Sequence, residues 1–551
     1  MPTLQFKGKN IIWNHHLSIP YHTLDEVGKQ HFQPEKANGN LIIEGDNLLA
    51  LKALLPQYAG KVKCIYIDPP YNTGNEGWVY NDNANSPMLK EWLGKEVGKD
   101  DLTRHDKWLC MMVPRLKLLR ELLKEDGVIF VSIDDNEVHH LRMLMDEVFG
   151  EENIIAELVW NLGTGTEAGH FTRSHEYILS YAKYRSKVPY FATLDDTPIT
   201  HGALKKISRA NPASDIIFPS GIEFEGTNAI FEGELGNSEK QIIVNGKMIF
   251  EDGKLKKPVT LRAGWAMRNQ IISWIEGKET FDSKGQKVKR FFFNRQGILW
   301  YEKERETTHP KTVLIDIAKT KDGTTEIEML FGEKVMDFPK SSLLIKFLVS
   351  LTTNNNDIIL DSFAGSGTTM HAVMDLNKED GGNRKCILVQ MTEATKTEPK
   401  KNICKDITRE RVMRTIDKYD YDSGFQYFKV GIPVDAETLL SGQLPTFKQF
   451  ADYVYYLCTG ESLKNKSAVN EKSFFIGEHG NSVIYLVYRQ DFDELTRLAL
   501  NLSLAEKLTA EHPKKKIIVY APACFLEEDY MKEKNIVYVG IPYNLFQRSG
   551  A

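Results

Sequence analysis

What most constrains the fold is an alternation of two periodicities that begins near residue 40, breaks off near 186 and resumes near 336. LIIE (41–44) reads as a strand, and NLLALKALLPQY (47–58) as a helix with leucines at helical spacing. KCIYID (63–68) is a strand ending at Pro69-Pro70, which can neither continue a sheet ladder nor enter a helix interior. Residues 72–104, rich in Gly, Asn and Asp, read as a long surface loop. DKWLCMMVPRLKLLRELLKEDG (106–127) reads as a helix closing near Gly127, and VIFVSID (128–134) as a buried strand. EVHHLRMLMDEVFG follows as a helix, then IIAELVW (154–160) and EYILSYA (176–182) as strands. After the break, 341–352 is helical and DIILD (357–361) a strand. A glycine-rich turn leads into a helix from about 367, then the strand KCILVQ (385–390) and a helical segment 403–418. Strands alternating with helices on both sides of an insertion predict a doubly wound, mostly parallel α/β sheet, split in sequence. The expected domains are 1–185, an insertion 186–335, a second sheet portion 336–420, and 421–551, which carries no readable motif.

Composition bounds the class. A chain of 551 residues exceeds one hydrophobic core, and 42% hydrophobic with 26% charged residues is the balance of a soluble protein. No apolar run approaches the roughly 18 to 20 residues that span a bilayer. The first residues, MPTLQFKGKNIIWNHH, hold no signal-peptide core. Six cysteines (64, 110, 386, 404, 458, 524) lie far apart without a CxxC pair, so neither a zinc site nor a disulfide framework is expected, and a reducing cytoplasm is the expected setting. His15, His16, His139 and His140 are expected as packing or surface residues, and no metal is called for. The net charge of −5 is a poor guide to a polyanionic partner, which meets a local surface. Residues 254–295 hold eleven Lys or Arg against three Asp or Glu, interleaved with Trp265, Trp274 and Phe291, Phe292 and Phe293.

Two motifs carry chemistry. Asp68-Pro69-Pro70-Tyr71 stands at the carboxyl end of a strand, where open α/β sheets place their sites. An exocyclic amino nitrogen on a base is a poor nucleophile because its lone pair is delocalised into the ring. Acceptors on its two hydrogens, the Asp68 carboxylate and the Pro69 carbonyl, would hold it towards tetrahedral geometry, and Tyr71 offers a flat face for an extruded base. The second motif, Asp361-Ser362-Phe363-Ala364-Gly365-Ser366-Gly367-Thr368-Thr369, is a strand, a glycine turn and a helix start. Its glycines let backbone approach a ligand, and the helix N-terminus adds positive potential. It lacks the third glycine of a dinucleotide fingerprint, and no lysine follows its glycines, so alone it indicates a nucleotide or nucleoside ligand.

Together the motifs resemble the amino-methyltransferases of DNA, whose cofactor turn reads F-x-G-x-G and whose catalytic tetrapeptide reads D-P-P-Y. The order here, catalytic motif, insertion, cofactor turn, matches their β class, a circular permutation. DPPYNTG with VYND after it, HEYILSYAK (175–183) and DFPKSSLLIK (337–346) resemble the modification subunits of type III restriction–modification systems. The resemblance covers roughly 40–183 and 336–418. It implies a Rossmann-like class I methyltransferase fold, circularly permuted, with an inserted target-recognition domain and a C-terminal α/β extension. It further implies S-adenosylmethionine as methyl donor and N6 of an adenine flipped from double-stranded DNA as acceptor, with Asp68, Pro69, Pro70 and Tyr71 catalytic.

On the cofactor, Phe363, Ala364, Gly365, Gly367 and Thr368 would cradle the methionine portion and Asp361 would meet its ammonium. Lys340 would lie at the carboxylate end, and Asp46 and Asn47 near the adenine, although Asp46 also stands where a helix N-cap belongs. Gln390 stands where many relatives have a carboxylate for the ribose hydroxyls. DNA contacts are expected from Lys284, Lys287, Lys289, Arg290 and Arg295. The expected assembly is a homodimer, with any ATP-driven cleavage in a separate helicase–nuclease subunit, since this sequence holds no G-x-x-x-x-G-K-[ST]. The alternatives are an orphan DNA methyltransferase, an N4-cytosine methyltransferase, for which Ser would be commoner at the first position of the tetrapeptide, and an inactive DNA-specificity subunit.

Overall fold

The structure is a computed structural model that describes residues 3–73, 103–168, 170–194, 200–282, 285–304, 307–315, 317–394 and 398–541. Most of the expected 72–104 loop, with its VYND run, therefore lies outside the described residues, as does Lys284. The chain divides into two compact units, Met1–Pro189 with Lys311–Ala551, and Tyr190–Pro310.

The first unit is built on a ten-stranded sheet. In chain order its strands are β1 (His22–Glu26), β2 (Leu41–Glu44), β3 (Val62–Ile67), β4 (Leu123–Ile133), β5 (Ile154–Ala168), β6 (Phe171–Ala182), β7 (Val313–Leu314), β8 (Ile358–Asp361), β9 (Lys385–Gln390) and β10 (Gln426–Pro433). Across the sheet they run β1-β10-β2-β9-β8-β3-β4-β6-β5-β7. From β10 to β4 every pairing is parallel. β1 and β6 run against their neighbours at either side. This is the doubly wound, permuted α/β sheet expected from the sequence. Every residue of β2 and β3 is buried, as parallel strands covered on both faces require.

Helices α1 (Asn47–Tyr58), α2 (Arg104–Leu122), α3 (Val138–Phe149), α4 (Thr320–Phe331), α5 (Ser342–Thr352), α6 (Thr368–Asp380) and α7 (Glu410–Tyr419) connect the strands. α2 buries Trp108, Met112, Leu116 and Leu119 completely. Each such aliphatic side chain contributes roughly 1.5 to 3 kcal/mol. α2 ends at Leu122, short of the expected Gly127, because Leu123 already pairs with Val62 at the start of β4. The irregularity in that pairing places Gly127 where a Cβ would lie 3.0 Å from the Val62 carbonyl and 2.9 Å from Leu123, so glycine serves a close strand approach and not a helix cap.

Two expected boundaries move. Residues 311–335 belong to the first unit: β7 extends its sheet beside β5, and Glu326 of α4 pairs with Arg411 at 2.8 Å. Residues after 421 also start inside the main sheet, since β10 pairs with β2. A second, four-stranded sheet follows (Phe475–His479, Ser482–Leu486, Lys516–Ala521, Ile536–Gly540), anchored partly by Tyr453 stacked on Tyr21 at 4.5 Å.

Among its described residues, the unit Tyr190–Pro310 consists of short strands in small antiparallel sheets, with one helix, Arg268–Ile275. Phe218, Phe250, Trp265, Phe291 and Phe293 form its core.

Candidate active site

The order of the strands brings the two motifs together. β8 and β3 are neighbours in parallel, so Asp361 and Asp68 emerge side by side at the carboxyl edge. They line one cleft with Tyr66, Met336, Phe363 and Gly365. β6 runs antiparallel to β4, with Tyr177 opposite Ile133. Its preceding residue, Glu176, therefore reaches the same edge, opposite Trp160 of β5.

Glu176, Lys340 and Tyr71 form a closed triangle. The Lys340 ammonium donates to Glu176 Oε2 at 2.7 Å and to the Tyr71 hydroxyl at 2.6 Å, and that hydroxyl donates to Glu176 at 3.0 Å. Lys340 Nζ also stands 3.5 Å from Asp68 Oδ1 and over the rings of Tyr71 and Trp160. Burial alone would weaken the ammonium, but the carboxylates of Asp68 and Glu176 outweigh it and hold its pKa above the ordinary lysine value. Burial likewise raises Asp68, with Lys340 drawing it back down and Glu176 pushing it further up. Asp68 Oδ1 is buried and makes no well-formed hydrogen bond among the described residues, the Lys340 ammonium standing off at 3.5 Å.

The turn behind Asp68 is held from three sides. Trp108 Nε1 donates to the Pro70 carbonyl at 2.6 Å, Tyr71 is tied as above, and Asn72, in the left-handed region at φ 59°, donates to the fully buried Glu137. Glu137 also accepts from His105 at 2.6 Å and His140 at 2.8 Å, so His140 has a supporting role the sequence did not suggest. The ligand atoms of these three lie within 4.8 Å of one another, room enough for a divalent cation, but hydrogen bonding accounts for the grouping without one.

On the cofactor side, Asp361 accepts from Thr369 Oγ1 at 2.5 Å and Phe363 N at 3.0 Å. Burial pushes its carboxyl up to about 7 against those two donors, and the charge of Asp68 acts in the same direction. Gly365 and Gly367 both have positive φ, 51° and 85°. A Cβ on Gly365 would stand 3.3 Å from Met336 Cε, and one on Gly367 3.1 Å from the Thr408 carbonyl. Thr368 Oγ1 donates to the Lys340 carbonyl at 3.2 Å and accepts from the fully buried Arg411 at 2.5 Å. Ala364 lines the cleft.

Several expected residues have other commitments. Asp46 caps α1, accepting from Leu48 N at 2.8 Å, and lies 3.5 Å from Arg115. Asn47 bridges Arg115 and the Ser362 carbonyl, which ties α1 to the glycine turn. Gln390 accepts from Gly365 N at 2.8 Å and donates to Glu393 at 3.0 Å, so it braces the turn. Lys340 sits at the Asp68 end of the cleft, in the triangle described above. In the Tyr190–Pro310 unit, Lys287 pairs with Glu279 and Glu304, and Lys289 with Glu302. Arg290 pairs with Glu302 and Glu223, and Arg295 is exposed. Trp265 and the three phenylalanines, interleaved with the basic residues in the sequence, are buried within that unit. Glu176 is the main omission of the sequence reading: it lay inside the quoted HEYILSYAK run, a charge at the head of an apolar strand.

The DNA methylase family pattern matches residues 62–412. The chain is 35% identical over 415 residues to the type III restriction–modification enzyme EcoPI Mod subunit of Escherichia phage P1, covering 68% of this chain and 61% of that one. It is 32% identical to the StyLTI Mod subunit of Salmonella typhimurium (75% and 62%) and 30% identical to the type II methyltransferase M.KpnI of Klebsiella pneumoniae (67% and 84%). The chain thus spans about three fifths of the length of the two Mod subunits. A match over well more than half of the chain, on the residues that build the cleft, makes this chain a member of the DNA methylase family.

Proposed function

We propose that the chain transfers a methyl group from S-adenosylmethionine to N6 of an adenine flipped out of double-stranded DNA, as the modification subunit of a type III system. The observation that carries this reading is Asp68: a buried carboxylate oxygen whose contact with the Lys340 ammonium, at 3.5 Å, is too long for a well-formed hydrogen bond, in a cleft whose other wall is a glycine turn with the Asp361 carboxylate. An amino group supplies a close donor. The residues fit the cofactor, since Asp361 offers a carboxylate to an ammonium and Gly365, which has no Cβ, lets a ligand come close to the turn beside Phe363. When bound, the sulfonium supplies an electrophilic methyl group. Asp68 Oδ1 and the Pro69 carbonyl then accept the two amino hydrogens and aim the lone pair, while the Tyr71 ring stacks on the base. Alignment and fixed charges provide the acceleration, and no covalent enzyme intermediate is needed.

Sequence choice is assigned to the Tyr190–Pro310 unit, because bases flanking a flipped adenine must be read from a groove. The similarity to subunits of restriction–modification enzymes supports a separate subunit as partner, and the proposal includes a homodimer and a helicase–nuclease in that partner role. The likeness to M.KpnI keeps a stand-alone methyltransferase as the second reading.

Asp68→Ala is expected to lower turnover at least about a hundredfold while cofactor affinity stays within a few-fold, as for a contact made mainly in the transition state. Labelled-methyl transfer into DNA and calorimetry check this, and turnover within tenfold of wild type removes Asp68 from the mechanism.

A further inference from the structure

We infer that Glu176 is a positioning residue for the transfer: it holds the Lys340 ammonium between Tyr71 and Asp68, and so sets both the seat of the stacking ring and the charge of the accepting carboxylate. This rests on the methyltransferase reading above. The geometry is the closed triangle of 2.6, 2.7 and 3.0 Å, with Asp68 at 3.5 Å from its cationic corner. Lys340 shared between two carboxylates gives Asp68 only part of its attraction. Were Lys340 to face Asp68 alone, it would swing towards Oδ1, occupy the position an amino hydrogen needs, and release the Tyr71 hydroxyl.

Glu176 therefore holds the cation back from Asp68, far enough to leave Oδ1 open, while Lys340 at 3.5 Å still favours the ionised form. A second consequence concerns Tyr71. With its hydroxyl donating to Glu176 and accepting from Lys340, the ring is fixed on both sides and meets an incoming base already oriented.

The groups that face Asp68 are Lys340 from the segment before α5, Glu176 from β6, Asp361 from β8, and Tyr66 and Tyr71 from its own strand and turn. Of these, Glu176 and Asp361 oppose ionisation of Asp68 and Lys340 favours it. Removing the Glu176 charge lowers the Asp68 pKa, because a repelling carboxylate is lost and Lys340 is freed towards Asp68. The acid limb of turnover, below which protonated Asp68 no longer accepts, then moves to lower pH.

The test compares wild type with Glu176→Gln in two measurements. The first is labelled-methyl transfer into DNA from pH 5.5 to 9. The second is the carboxyl titration of Asp68 by carbon-13 NMR on aspartate-labelled protein, with Asp68→Asn identifying the signal. Expected are a fall in kcat of about ten- to a hundredfold, KM for the cofactor within about twofold, and acid limb and Asp68 midpoint both displaced downward by about one pH unit. A limb and midpoint that stay in place overturn the inference, even where kcat falls, because a merely structural glutamate would lower activity without moving them. If wild type transfers no methyl group, the methyltransferase reading fails, and the NMR midpoint still decides the role of Glu176. Should Glu176→Gln not fold, Glu176→Asp retracts the charge from Lys340, and the same downward displacement of the midpoint, smaller in size, is required.

Discussion

Asp361 shows how one buried carboxylate joins stability to ligand binding. Its carboxyl is at about 7, well above the unfolded value near 4. Between those two values the folded chain holds a proton that the unfolded chain has released. The stabilisation linked to that proton is complete below the unfolded pKa and is lost as pH climbs through about 7. Against Asp361→Asn, the wild-type protein without cofactor is therefore expected to lose up to about 4 kcal/mol between pH 4 and pH 8, with the two converging in acid. An ammonium laid against Asp361 reverses the balance by favouring the ionised form. Cofactor binding at pH 6 should then release a proton and tighten as pH rises to about 7. Calorimetry in buffers of different ionisation heat measures that release. Binding without proton release would detach Asp361 from the ammonium.

At the level of the element, the glycine turn is a packed joint as well as a cradle. Residues Cys404–Arg409 are wound as a π-helix leading into α7, and Thr408 Oγ1 donates to the Gly365 carbonyl at 2.5 Å. Arg411, one turn on, reaches Ser366 and Thr368 and pairs with Glu326, which accepts from the start of α5. The turn is thus fixed by α4, α5 and α7 together, and its two glycines should fail differently. Gly365→Val places a branched side chain at φ 51° beside Met336, on the cleft, and should abolish cofactor binding in a chain that still folds. Gly367→Ala, at φ 85° and 3.1 Å from the Thr408 carbonyl, should cost about 1 to 2 kcal/mol of stability with weaker effect on binding. Thermal melts and calorimetry separate the two, and a Gly365→Val protein that binds cofactor normally would refute the placement of the pocket.

On the scale of the whole molecule, the proposal commits the motifs of the first unit to methyl donor and target amine and gives the reading of sequence to the Tyr190–Pro310 unit. That unit holds 18 Lys and Arg against 16 Asp and Glu, so the DNA-facing surface proposed for it depends on which cations are free of partners. Lys287, Lys289 and Arg290 are paired with glutamates. Lys205, Lys206, Arg209 and Lys257 are exposed and make no ion pair among the described residues. Replacing Lys205, Lys206 and Arg209 by Gln should weaken DNA binding and flatten its salt dependence by close to one unit of slope per lost phosphate contact, more than the same change at Lys287, Lys289 and Arg290. Exchanging Tyr190–Pro310 for the corresponding unit of a relative should change the methylated sequence, read by single-molecule sequencing. An active chimera that keeps the original target would move recognition elsewhere, with the segment after Pro433 the next place to look.

The sequence by itself determined the local elements and the chemistry of the motifs. The strand ending at Asp68-Pro69-Pro70-Tyr71 and the strand–glycine turn–helix at Asp361–Thr369 were legible because side-chain periodicity, proline and glycine act within a few residues along the chain. Their co-location was legible only through resemblance, since nothing local says that β8 lies beside β3. Tertiary structure decided the partners. Glu176 reaches Lys340 and Tyr71 beside Asp68 because β6 is reversed against β4, and register across a sheet is fixed by packing between segments distant in sequence. The same holds for Gln390 bracing Gly365, for Lys340 at the Asp68 end of the cleft, and for the cations of the insertion that glutamates neutralise. A charged residue in a sequence shows what it can pair with, and only the folded chain shows which opposite charge stands within reach.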